Sequence, residues 1–165
     1  MSSFQASVEE YRKQLEMGEI QKGYKGLMEY TMGLRTYFKN KYPGFLVSGM
    51  YQGYMDMTYF SLSSQSLKQQ NLKIPIVFLH ENFRFEVWLS GSNKRVQEKY
   101  WELFKKNGWK KYRLVSTTKG NDSILEYVLI DNPDFSDLDA ITEQIEERTL
   151  KFIKDIEIFL SAYEN

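Results

Sequence analysis

The sequence predicts one α+β domain over residues 1–165, a mainly antiparallel sheet flanked by N-terminal, middle and C-terminal helices. Three observations predict it. Helical periodicity occupies both ends of the chain. Strand-like segments come in a run between them rather than alternating with helices, which favours antiparallel pairing with helices on one face. No linker interrupts the blocks, and 165 residues suit one core, which serves roughly 100–200 residues. The expected order is α-ββββ-α-ββ-α.

The first block, about Val8 to Tyr42, reads as helix. Ile20, Tyr24, Leu27, Met28, Thr31, Leu34 and Phe38 recur at three- and four-residue steps, which places them on one helix face. Val8, Tyr11 and Leu15 predict a shorter helix before it, with the break at Gly18. Tyr42-Pro43-Gly44 ends the block, because proline disfavours helix at the residue before it. Phe45–Tyr51 and Tyr54–Leu62 then read as strands around a Gln52-Gly53 turn. The polar stretch Ser63–Lys73 reads as a connection to the strand Ile74–Leu79. His80-Glu81-Asn82 turns into Phe83–Leu89. That strand alternates: Phe83, Phe85, Val87 and Leu89 on one side, Arg84, Glu86 and Trp88 on the other.

The third block opens with Ser92 or Asn93 as a side-chain helix cap. Val96, Tyr100, Leu103 and Phe104 make the apolar stripe, and Asn107-Gly108 closes the helix. Tyr112–Thr118 and Ile124–Ile130 read as a hairpin. After Asn132-Pro133, a long helix carries Leu138, Ile141, Ile145, Phe152, Ile156, Phe159 and Tyr163 on its apolar face.

Composition excludes several chemistries. With no cysteine there is no disulfide framework, thiolate nucleophile or Cys-ligated zinc, and one histidine cannot build a His-rich metal site. No metal and no cofactor is expected. The 22 basic and 22 acidic residues balance, which argues against a surface built wholly for phosphate backbone. No run approaches the ~20 apolar residues that span a bilayer, and the first ten residues hold no basic or apolar signal region. A cytoplasmic protein without a membrane partner is expected.

Charge is segregated along the chain. Residues 94–113 hold eight basic and two acidic residues, whereas 122–165 hold twelve acidic and three basic. Either the two segments compensate each other, or the basic one, beside Tyr100, Trp101 and Trp109, meets an anionic partner such as nucleic acid.

The candidate site follows from strand parity. Aspartate is disfavoured in strands, so Asp56 calls for a partner. If the strands are neighbours, Tyr54, Asp56, Thr58, Arg84, Glu86 and Trp88 share one polar-aromatic sheet face, a floor for a small-molecule pocket. The expected function is a non-catalytic ligand-binding or protein-interaction module, with an unknown small molecule or protein as partner and a homodimer as one form.

The stretch Tyr51–Phe60, with Leu72-Lys73-Ile74, Phe78-Leu79-His80-Glu81 and Arg84–Leu89, resembles a family of small uncharacterised bacterial proteins of similar length. That family carries no activity to transfer. The element order also resembles the restriction-endonuclease-like core at the level of fold. This likeness implies a metal-dependent nuclease in which Asp56 and Glu86 match the two acids. Trp88 stands where that pattern has lysine and supplies no cation. The segment Phe83–Phe104 also resembles a domain found beside some DNA-modifying systems.

Overall fold

The computed structural model describes residues 3–163. Among these, five helices and six strands run α1 (Phe4–Met17), α2 (Glu19–Lys41), β1 (Leu46–Val47), β2 (Met57–Ser63), α3 (Gln65–Gln69), β3 (Leu72–Leu79), β4 (Arg84–Gly91), α4 (Lys94–Lys106), β5 (Arg113–Leu114), β6 (Leu125–Asp131) and α5 (Leu138–Ser161). The expected α+β class holds. The strands form one sheet in the order β1-β2-β3-β4-β6-β5, and every neighbouring pair is antiparallel.

Gly18 separates α1 from α2 in the left-handed conformation, φ 83°, where its missing Cβ removes the steric cost. α2 buries Thr31, Leu34 and Phe38, and α5 buries Ile141, Ile145, Phe152, Ile153, Ile156 and Leu160. Both cover the sheet face formed by Phe60, Leu62, Ile74, Ile76, Phe78, Phe85, Val87 and Leu89, in one continuous core. α4 lies at one end, with Phe104 stacked on Phe159 of α5 at 4.6 Å. Glu146 ties α5 to α2, accepting hydrogen bonds from Tyr37, Tyr42 and Lys41. Burial pushes that carboxyl up, but the bonds from Lys41, Tyr42 and Tyr37 outweigh it and hold the pKa low.

Three local differences from the sequence reading have physical causes. The strand expected over Phe45–Tyr51 shrinks to Leu46–Val47 and an isolated bridge, Tyr51 to Tyr59. Between them the Ser48 hydroxyl accepts the Ser61 N–H at 2.8 Å, so a side chain takes the place of a ladder carbonyl. The strand expected from Tyr54 begins at Met57, because Gly53 and Met55 have positive φ (77° and 65°) and turn the chain. The polar connection holds the short helix α3, capped by Ser64, whose hydroxyl accepts from Leu67 N–H. Leu67 is fully buried beneath it.

The mixed charge of the third block is partly compensated within the fold. Lys111 pairs with Asp155 at 3.6 Å and Arg113 with Glu126 at 2.7 Å. The aromatics there serve packing: Trp109 lies edge-on to Phe104 and Phe159, and the Trp101 indole donates to the Val115 carbonyl. No helix among the described residues is long and apolar enough to cross a membrane.

Candidate ligand-binding site

The helices cover one face of the sheet. The other face is built by the alternate residues of each strand, and its register is read from the pairings. Tyr59 stands opposite Val77, and Val77 opposite Glu86. Glu86 stands opposite Val128, and Trp88 opposite Glu126. Lys73 pairs with Ser90 towards the α4 end.

Arg84, Glu86 and Trp88 share this open face, as their spacing of two requires. Glu86 is only 3 % exposed. One carboxylate oxygen accepts from Arg84 Nε at 2.6 Å and the other from Trp88 Nε1 at 2.8 Å. A buried carboxylate persists only when paired and hydrogen-bonded, and both conditions are met here. Trp88 therefore has its single donor committed, and its ring is held in place at 9 % exposure.

The sequence expectation that six residues share this face is corrected for three of them. Thr58 pairs with Phe78 and lies on the helix-covered side, fully buried. Tyr54 and Asp56 precede β2 in the turn; Tyr54 is 91 % exposed and Asp56 is exposed. Asp56 Oδ1 accepts the Tyr54 backbone N–H at 2.9 Å, which, first among its hydrogen bonds, lowers the carboxyl pKa. The aspartate thus finds its partner in its own turn, a common aspartate role. Asp56 stands in the exposed turn before β2, whereas Glu86 stands on the open face of β4. Among the described residues no three His, Asp or Glu side chains gather as metal ligands.

Thr58 instead meets the chain's one histidine. Its hydroxyl donates to the Gln52 carbonyl at 2.7 Å, so His80 Nε2, 2.8 Å away, is the donor to Thr58 Oγ1. The ring lies against Phe78 and Tyr24. Burial lowers the His80 pKa, and the Asp56 charge offsets only part of this. The unfolded imidazole titrates near about 6.5. Between the folded and unfolded values the unfolded chain binds more protons, so stability rises with pH there. The contribution is complete above about pH 6.5 and is lost as pH falls through the folded value. Urea midpoints should drop between about pH 7.5 and about pH 5.5, and His80→Gln should flatten that slope. A flat wild-type profile would contradict a half-buried His80 held neutral.

A cavity of about 770 Å³ opens on the Trp88 face. Its floor comes from the sheet: Tyr59, Lys73, Pro75, Trp88 and Ser90. One wall is the first turn of α4, with Asn93, Lys94, Gln97 and Glu98, and the other is the loop 118–122. Tyr51, 5.0 Å from Tyr59 by ring centroid, forms the lip. The loop is anchored by Ser90 Oγ, which donates to the Asp122 carbonyl at 2.7 Å. The helix is drawn tight onto β4 at Gly91, where a Cβ would stand 2.7 Å from the Gln97 backbone nitrogen. Only glycine allows that approach.

Of the predicted site residues, Trp88 lines the cavity, and Glu86 with Arg84 holds it from the same face, one pleat along β4. Sequence reading missed Tyr59, Lys73, Gln97 and the 118–122 loop. Parity along β2 and β3 carried a signal for Tyr59 and Lys73. Gln97 and the loop join the site only through tertiary contacts.

The fold and cavity define an α+β domain with one sheet face sealed by helices and the other holding a polar-aromatic cavity. The chain matches a domain of unknown function, DUF7000, over residues 4–160, and it belongs to that family. No curated protein and no solved structure matches it.

Proposed function

We propose that the protein is a non-catalytic ligand-binding module whose small-molecule ligand occupies the open-face cavity. The observation that carries this reading is the cavity itself. Its volume of about 770 Å³ falls in the ~300–1,000 Å³ range of small-molecule sites. Its floor includes a tryptophan immobilised by the buried carboxylate beside it on β4, an arrangement that orders the binding surface before a ligand arrives. The histidine lies on the opposite face with Thr58, away from the cavity, so imidazole acid–base chemistry is not offered there. The proposal includes a bacterial, cytoplasmic setting and a homodimer. Support for the dimer is the exposed apolar stripe of α1, where Phe4 is 85 % exposed.

The test is a thermal-shift screen of the full chain against a broad metabolite panel, followed by calorimetry on the hits. Ligands that bind the folded state raise the melting temperature. Tyr51→Ala, at the exposed lip, should leave the urea midpoint nearly unchanged and weaken the hits about tenfold, the scale of one lost aromatic contact. A silent panel, or hits that bind Tyr51→Ala as well as wild type, would remove the proposal.

A further inference from the structure

The cavity is polarised along the strands. At the α4 end, Lys73 pairs with Ser90, and Asn93, Lys94 and Gln97 stand beside them. Two residues further along β3, Pro75 lies beside Trp88, and two further still Val77 stands opposite Tyr59, which Tyr51 contacts. At ~3.3 Å per residue, this run from ammonium to phenol covers roughly 13 Å. Two lysines therefore stand at one end of the site, and the aromatic rings, with the Asp122 carboxylate acting on Tyr59, stand at the other.

Three lysines line the cavity. Among the described residues, neither Lys73 nor Lys94 makes an ion pair, and neither does Lys119 of the overhanging loop. Glu98 and Asp122 also line the cavity, so three ammonium groups face two carboxylates, a net of plus one. The first turn of α4 adds the positive end of its dipole.

Gln97 is the independent observation. It is 6 % exposed and lines the cavity. Its Oε1 accepts the Gly91 N–H at 2.8 Å, which settles which way the amide faces. The Nε2 group is then a buried donor without a partner. Buried donors are nearly always satisfied, and this one belongs to a residue of the cavity wall, where an acceptor reached by a small turn of the amide would satisfy it.

Resting on the binding proposal above, we infer that the ligand is a planar aromatic ring carrying a carboxylate or phosphate. The anion sits at Lys73, Lys94 and the Gln97 amide, and the ring lies towards Trp88, Tyr59 and Tyr51. Charge-assisted bonds give the anion its affinity, and the aromatic floor gives the ring its orientation.

The experiment is calorimetry of the full chain with matched pairs of probes: benzoate and benzamide, indole-3-acetate and indole-3-acetamide, adenosine monophosphate and adenosine. Carboxylate and phosphate members separate the two anion sources. Binding is expected among the anionic members, weakened by added salt. Lys73→Gln and Lys94→Gln should each weaken it about tenfold, the scale of one charge-assisted bond. Gln97→Glu keeps the acceptor for Gly91 and replaces the donor with a second oxygen. It should abolish anion binding while the urea midpoint shows the fold retained. The inference is overturned if neutral members bind as well as anionic ones, or if anion binding ignores all three substitutions. It is also overturned if the paired probes are silent while the broad panel yields hits, an outcome that leaves the binding proposal standing. Silence in both sets would remove both.

Discussion

Phe78→Ala is expected to destabilise the fold by about 3–5 kcal/mol, the range for removing a fully packed phenylalanine. Phe78 lies at the centre of the covered sheet face, between Thr58 on β2 and Phe85 on β4. Its ring meets Phe85 at 4.8 Å, His80 at 4.9 Å, Phe83 at 5.5 Å and Phe135 at 6.1 Å. These rings belong to β4, the β3–β4 turn and the segment before α5, so they cannot collapse together into the space left behind. The cost is therefore the lost transfer free energy plus a cavity. Urea denaturation should show a lower midpoint with an unchanged slope. A loss below about 1 kcal/mol would mean that the cluster relaxes freely, contrary to the packing described.

The second large effect comes from the open face. Arg84→Met leaves Glu86 with its indole partner and no cation. Removing one member of a buried pair typically costs about 3–5 kcal/mol, because the remaining charge is uncompensated. Arg84 is partly solvated, its side chain 32 % exposed, so a loss of about 2–3 kcal/mol is expected. The double variant Arg84→Met/Glu86→Gln should recover much of it, since the neutral amide still accepts from Trp88 and no charge stays buried. A double-mutant cycle measured by urea unfolding gives the coupling. Independent, additive effects would show that the pair is decorative. Because Glu86 also holds the Trp88 ring, Arg84→Met should change the tryptophan fluorescence of the folded protein.

Much of the architecture was legible in the residues. The β4 segment alternates so regularly that Phe83, Phe85, Val87 and Leu89 were put on one side; the last three are buried there, while Phe83 falls in the preceding turn with φ 52° and is 39 % exposed. The Asn93 cap, the Gly18 break and the apolar face of α5 follow from local chemistry that needs no distant partner. The site was read less completely. Arg84, Glu86 and Trp88 were grouped correctly, since residues two apart on one strand must share a face. Thr58 was placed with them and lies on the reverse. Tyr54 and Asp56 were read as strand, whereas the positive φ at Gly53 and Met55 puts them in a turn.

The periodicities, caps and charge segregation were determined by the sequence alone, because each depends on residues a few positions apart. Which faces of neighbouring strands coincide was decided only by the tertiary structure. The β3–β4 turn leaves four residues, His80 to Phe83, between the paired Leu79 and Arg84. That even number sets even positions of one strand against odd positions of the next. One residue more in that turn would have brought Thr58 and Glu86 to the same side. Long-range contact likewise decided the cavity, since Gln97 lines it through the close approach of α4 to Gly91 and the 118–122 loop through the Ser90–Asp122 bond.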